Sequence, residues 1–217
     1  MDDLKLAALL CTRLCHDLVG PVGAINNGLE LLGDGGGDLD DEVMALIQRS
    51  ARETARRLQF FRAAFGLASG GKRGFSSASE VAARFFDGGK IALDWTGAAP
   101  APFPANEDAC AQIMLNLLLC GAEMLPRGGR LSARVAAEAG KVALSVAAAG
   151  PTIKIDDDLE TRLDGRATVA TIDARRVQPH YTARLVAALG GNVELGDRTE
   201  GSVEVRARVP AVGDKIR

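Results

Sequence analysis

Aromatic side chains are scarce in this chain of 217 residues: seven Phe, one Tyr and one Trp make up 4% of it. The hydrophobic fraction is nevertheless 47%, ample for a core, so helices rich in Ala and Leu are expected to carry it. A charge excess is missing too. Lys and Arg number 26 against 28 Asp and Glu, a formal net charge of -2, and no Lys/Arg-rich block occurs. Binding of nucleic acid through a basic face is therefore disfavoured. Cysteines are few. Cys11, Cys15, Cys110 and Cys120 fall within helical patterns without framework spacing, which fits reduced thiols in a cytosol. Cys11 and Cys15 stand one turn apart beside His16, but only two of those three can share a helix face and no second ligand pair follows. No metal site is expected. Met1-Asp2-Asp3 is acidic where a secretory signal needs positive charge, and Leu10 is too large to precede a lipoprotein cysteine at Cys11. No apolar run approaches the ~20 residues of a membrane helix. A soluble cytoplasmic protein of one large or two small domains is expected, with no membrane partner.

What is present begins with two long helical patterns. Leu4, Ala7, Cys11, Leu14, Leu18, Pro21, Ile25, Leu29 and Leu32 recur in steps of three and four. Val43, Ile47, Ser50, Thr54, Leu58, Phe61, Phe65 and Ala68 form a second seam. Gly33-Asp34-Gly35-Gly36-Gly37-Asp38 between them reads as a hairpin loop. At about 100° per residue, His16 points roughly 200° away from Leu14 and Leu18, toward solvent. Its imidazole is then either a solvated surface group or a reactive one. Two helices side by side leave much of their seams wet. Two hairpins pairing into a dimeric four-helix bundle solve that, and so does packing on a following domain.

After Gly70-Gly71-Lys72-Arg73-Gly74 the pattern becomes mixed. Ser77 with Glu80 reads as a capping box for a helix through Phe86. Lys90 to Thr96 reads as a strand, Asn106 through Leu125 as a helix, and Arg130–Ala137 with Lys141–Ala147 as paired strands. After a long irregular stretch, a helix with Pro179 in its first turn ends at Gly190-Gly191, and Val193–Leu195 with Ser202–Val209 close a β-hairpin. The fold class is α+β, with a helical hairpin over residues 1–70 and an α/β sandwich over 75–217.

In this order the features resemble bacterial sensor histidine kinases. Residues 4–69 are similar to their dimerisation and phosphotransfer hairpin, whose signature is a helical His, an acid after it and a proline five residues on, here His16, Asp17 and Pro21. Residues 75–210 resemble their ATP-binding sandwich, but its motifs are altered. The Asn-Leu-Leu-x-Asn-Ala motif reads Asn116-Leu117-Leu118-Leu119-Cys120-Gly121, so Cys120 stands where the family holds Mg²⁺ with an Asn, and a thiol is no hard oxygen ligand. The adenine-binding Asp-x-Gly-x-Gly appears as Ala148-Ala149-Gly150-Pro151-Thr152, without the carboxylate at Ala148 and with Thr152 at the last glycine. The Gly-rich phosphate loop is replaced by Val177-Gln178-Pro179-His180. Such a hairpin joined to a pseudo-ATPase domain resembles the alphaproteobacterial histidine phosphotransferases of the ChpT type. The resemblance implies a homodimer in a two-component, cell-cycle phosphorelay. It relays phosphoryl groups between the receiver domain of a CckA-like hybrid kinase and those of CtrA- and CpdR-like response regulators. No ATP is then used, and no cofactor is carried, the receiver supplying Mg²⁺. A working kinase with divergent motifs, and a non-catalytic scaffold that inhibits a kinase, are the alternatives.

The resemblance implies that His16 is the phosphoryl carrier and Asp17 its orienting acid, although Asp17 also suits a surface pair with Arg13. Pro21 removes the amide that would bond the carbonyl of Asp17, which predicts a kink. Val19, Gly20, Gly23 and Asn27 continue the His16 face. Glycines inside a helix cost roughly 1 kcal/mol each against alanine, a cost that close approach of a receiver helix or of a bundle neighbour would explain. Counting back from the loop sets Arg56, Arg57 and Phe60 level with His16. With Arg13 they complete the expected partner contacts, and His180 is expected as a helix-start surface residue.

Overall fold

The computed structural model describes residues 2–33, 40–66, 74–95, 99, 103 and 106–211. Helices α1 (Asp2–Gly33) and α2 (Asp40–Phe65) form the predicted hairpin; all of its loop except Gly33 lies outside the described residues. They run antiparallel and close together at Gly28, where a Cβ would come within 2.6 Å of Ile47 Cγ1. The remaining elements are α3 (Gly74–Phe86), β1 (Ile91–Asp94), α4 (Glu107–Glu123), β2 (Gly129–Glu138), β3 (Lys141–Ala149), α5 (Leu159–Leu163), a 3₁₀ turn (Val169–Thr171), α6 (Val177–Ala188), β4 (Asn192–Thr199) and β5 (Ser202–Pro210). The five strands lie in the order β1-β2-β3-β5-β4, with β1 parallel to β2 and every other pair antiparallel.

The sheet is two-faced because its apolar residues alternate. Leu131 and Ala133, then Val142, Leu144, Val146 and Ala148, then Val203, Val205, Ala207 and Val209 are all buried, and α4 lies over them. Helix α4 is buried on almost every side from Cys110 to Gly121 because α3, α6 and the end of α2 also pack against it. Gly121 allows the close approach: a Cβ there would meet Leu131 Cδ2 at 2.9 Å and Val146 Cγ1 at 3.1 Å.

Several expectations are corrected. Helix α3 starts at Gly74, so Ser77 lies inside its first turn rather than capping it. Its free amides are satisfied from another helix, Gly74 N–H donating to Asp108 Oδ1 (2.8 Å) and Phe75 N–H to Glu107 Oε1 (3.1 Å). The irregular stretch contains α5 and the 3₁₀ turn. The hairpin seam also differs. Leu4, Ala7, Cys11 and Leu29 are exposed in the single chain, whereas Leu6, Leu9 and Leu10 pack on Val169, Ile172 and Val177. Lys5 Nζ donates to the Ala170 carbonyl (3.0 Å) and Asp3 pairs with Arg184 (3.1 Å). At the other end Phe60, Phe61 and Ala64 of α2 belong to the core of the following domain. The hairpin therefore packs on its own C-terminal domain and still leaves an apolar row outside. In length and composition α1 is apolar enough to cross a membrane, which a search for one unbroken apolar run misses. Its flank is occupied by polar contacts to the sandwich, which a bilayer would forbid.

Candidate functional site

His16 lies near the middle of α1 with 68% of its side chain exposed. Its Nδ1 is 3.2 Å from Asp17 Oδ1. A carboxylate only accepts, so this contact in a neutral ring requires the proton on Nδ1, and Nε2 keeps its lone pair. Around this pair sit four further contacts. Arg13 Nε is 3.8 Å from Asp17 Oδ2, and its Nη1 makes a close ion pair with Glu123 at the end of α4. The carbonyl of Asp17, which Pro21 deprives of its helical donor, accepts from Arg57 Nη1 at 2.5 Å. Arg57 is in turn paired with Glu53 one turn earlier in α2. Thus α1 continues as one helix through Pro21, with the lost amide replaced by a guanidinium from α2.

Other predicted contact residues separate. Val19, Gly20 and Asn27 are exposed and Gly23 half-buried on the His16 side, and neither glycine would place a Cβ within 4 Å of any other group. Packing within one chain does not demand them. Arg56 reaches the Asp87 carbonyl at 3.3 Å and its carboxylate at 3.6 Å. Two candidates are corrected. Phe60 is fully buried, stacked on Phe85 with ring centroids 4.2 Å apart, because α2 rotates its aromatic end into the domain core. Arg13, at 12% exposure, is turned inward to Glu123 and offers little to a partner.

At the altered nucleotide motifs an open groove of about 370 Å³ is lined by Cys120, Glu123, Lys154, Asp156, Arg162 and Arg176 among others. Cys120 is buried against Thr182 Oγ1 (3.4 Å), and burial, with Glu123 nearby, pushes its thiol up to about 12. It is a neutral thiol at pH 7, unsuited to Mg²⁺. Ala148 is a methyl group wholly inside the sheet core and offers no carboxylate, and Thr152 is half-buried. Asn116 has become a structural tie, donating to the Ala64 (2.8 Å) and Gln112 (2.8 Å) carbonyls and accepting from Gln178 at 2.7 Å. These residues do not fit a Mg²⁺-nucleotide. His180 is corrected as well: it is 3% exposed, inside α6, with neither ring nitrogen hydrogen-bonded.

Residues missed in sequence are Glu123 and the Arg162 cluster. Arg162, almost wholly buried, binds Asp158 (2.9 Å) and Asp156 (3.1 Å) and donates to the Arg176 carbonyl (3.1 Å). Desolvation raises the Asp156 carboxyl, but Lys154 and Arg162 together hold it below its ordinary value. The signal for Glu123 was its place three residues after Cys120, hence on the same face of a buried helix.

An exposed histidine on a helical hairpin, fused to a kinase-like sandwich with a buried thiol and a methyl at the altered motif positions, defines a phosphotransfer protein built on the histidine-kinase frame. Comparison with known proteins carries this to a family. The model of the histidine phosphotransferase C-terminal domain matches residues 75–201. The protein phosphotransferase ChpT of Brucella abortus (strain 2308) is 39% identical over 205 residues, 94% of this chain and 95% of that protein. A solved bacterial phosphotransferase is similar at 36% identity with a TM-score of 0.80, covering 95% of this chain and 97% of that one. The Acinetobacter baumannii histidine kinase AdeS, 15% identical with a TM-score of 0.50 over 90% of this chain and 98% of its own, shares the fold. The chain belongs to the histidine phosphotransferases of the ChpT type.

Proposed function

We propose that this protein relays phosphoryl groups between receiver domains through His16. The observation that carries the reading is the exposed imidazole whose Nδ1 faces Asp17, leaving the Nε2 lone pair toward solvent beside the bare helix surface at Gly20 and Gly23. Nε2 attacks the phosphorus of a receiver aspartyl-phosphate, a P–N bond forms, and the acyl P–O electrons leave with the aspartate. Asp17 steadies the positive charge that develops on the ring. The second half reverses these steps on another receiver. Both phosphoryl donors are energy-rich, so the exchange needs no ATP.

The buried Cys120 thiol and Ala148 methyl support a domain that binds no nucleotide, and the Mg²⁺ for transfer comes from the receiver. The identity to the Brucella protein phosphotransferase supports a phosphotransfer role, and we place this chain in a phosphorelay between a CckA-like hybrid kinase and CtrA- and CpdR-like regulators. We place it in the cytoplasm as a homodimer whose hairpins form a four-helix bundle. The exposed apolar groups Val22, Leu29, Leu31, Met44 and Leu46 on the hairpin support that pairing.

The test is to mix the protein with a phosphorylated receiver domain. Acid-labile, base-stable phosphate on His16, passed on to a second receiver and abolished by His16→Ala, is expected. Autophosphorylation from labelled ATP would instead establish a kinase, and an intact relay in His16→Ala would establish a scaffold.

A further inference from the structure

We propose that Glu123, in the domain that no longer handles nucleotide, is a positioning residue for the His16–Asp17 pair and acts through Arg13. The proposal rests on the phosphotransfer reading and adds to it a use for the end of α4.

The geometry is a chain of four side chains from two domains. His16 Nδ1 meets Asp17 Oδ1 at 3.2 Å, Arg13 Nε lies 3.8 Å from the other Asp17 oxygen, and Arg13 Nη1 is held by Glu123 Oε1. Arg13 is one cation between two carboxylates. It bonds Glu123 closely and leaves its Nε buried without a hydrogen-bond partner, just beyond bonding distance of Asp17. Asp17 thereby keeps its electron density for the imidazole proton. With Glu123 neutralised, nothing holds the guanidinium back, and its orphaned N–H closes on Asp17. A carboxylate neutralised by a full guanidinium bond accepts less strongly from Nδ1–H, so the ring proton redistributes toward Nε2 and the nucleophilic lone pair is lost.

Burial pushes the Glu123 carboxyl above its ordinary value while Arg13 draws it down. The close contact makes the two side chains work as a unit. The end of α4 also lines the groove beside α5 and α6, so the same residue links that groove to the phosphoacceptor. The sandwich keeps a function after losing its ligand chemistry: it sets the charge and hydrogen bonding behind the histidine.

The test uses the whole chain and four variants. Long-range ¹H–¹⁵N spectra of the His16 ring report its tautomer without any receiver, and steady-state transfer from a phosphorylated receiver reports kcat and KM. Glu123→Gln is expected to lower the Nδ1–H share and to reduce kcat about five- to tenfold with KM nearly unchanged. Glu123→Asp should restore most of both. The paired Arg13→Gln/Glu123→Gln removes the guanidinium together with the carboxylate that holds it, so nothing is left to close on Asp17. The positioning role predicts that the Nδ1–H share and kcat both recover in it, whereas an ion pair that served only the fold would leave the His16 tautomer already unchanged in Glu123→Gln. An unchanged His16 ring in Glu123→Gln, a loss confined to KM, or a paired variant whose ring and kcat stay as impaired as in Glu123→Gln overturns the proposal. His16→Asn run beside them separates the two readings: transfer surviving that change would sink the phosphotransfer reading itself.

Discussion

His180 presents an imidazole that is buried at the foot of α6 and has no hydrogen-bond partner for either nitrogen. Burial pushes it below the ordinary histidine value, Arg184 adds to this, and Asp2 opposes it. As pH falls the unfolded chain therefore takes up this proton before the folded one. The stability it contributes is complete above the unfolded value near 6.5 and is lost as pH falls through the lower folded value. Thermal midpoints measured from pH 7 to pH 5 should decline more steeply in the native protein than in His180→Leu; parallel slopes would contradict an uncharged buried ring. Arg57 offers a second case. Its hydrogen bond to the Asp17 carbonyl exists because Pro21 supplies no amide, so Arg57→Met should cost about 1 kcal/mol in the native background. In Pro21→Ala the backbone donor returns and that cost should largely vanish. Denaturant midpoints of the four proteins in this cycle measure the coupling, and additivity would show the carbonyl never depended on Arg57.

Glycine has opposite meanings in different helices. Gly121 sits where α4 touches the sheet, and Gly121→Ala should destabilise by about 1–3 kcal/mol through its contacts with Leu131 and Val146. Gly20 meets nothing, so Gly20→Ala should gain up to about 1 kcal/mol of helix stability. If the bare surface is where a receiver helix lies, the same substitution slows relay. A calorimetric midpoint that rises while the transfer rate falls is the expected pair of results; a rise with unchanged transfer would leave Gly20 without a docking role. Helix α3 teaches the same lesson about context. Ser77 and Glu80 have the spacing of a capping box, yet carboxylates of α4 reach the first amides from across the core. Local chemistry named a start for the helix, and tertiary chemistry extended it by one turn.

The hairpin has two apolar flanks, one covered within the chain and one exposed. One packs on the sandwich through Leu6, Leu9, Leu10, Phe60 and Phe61. The other exposes Leu29 and Met44, among others, and a second copy would cover it. Leu29→Glu with Met44→Glu should therefore yield a folded monomer by analytical ultracentrifugation. If the double variant sediments with the native protein, the bundle does not form through this face.

The alternation of apolar residues determined the sheet strands, and steps of three and four determined both long helices, because side-chain direction has a fixed period in each. The His-Asp-x-x-x-Pro spacing likewise placed an imidazole on the outer face and left one carbonyl without its donor. Which group answers such a vacancy depends on residues far away in the chain. Only the folded structure brought Arg57 to the Asp17 carbonyl, Glu123 to Arg13 and Phe60 into the core. Periodicity says which way a side chain leaves its own backbone; it carries no information on which element arrives to meet it.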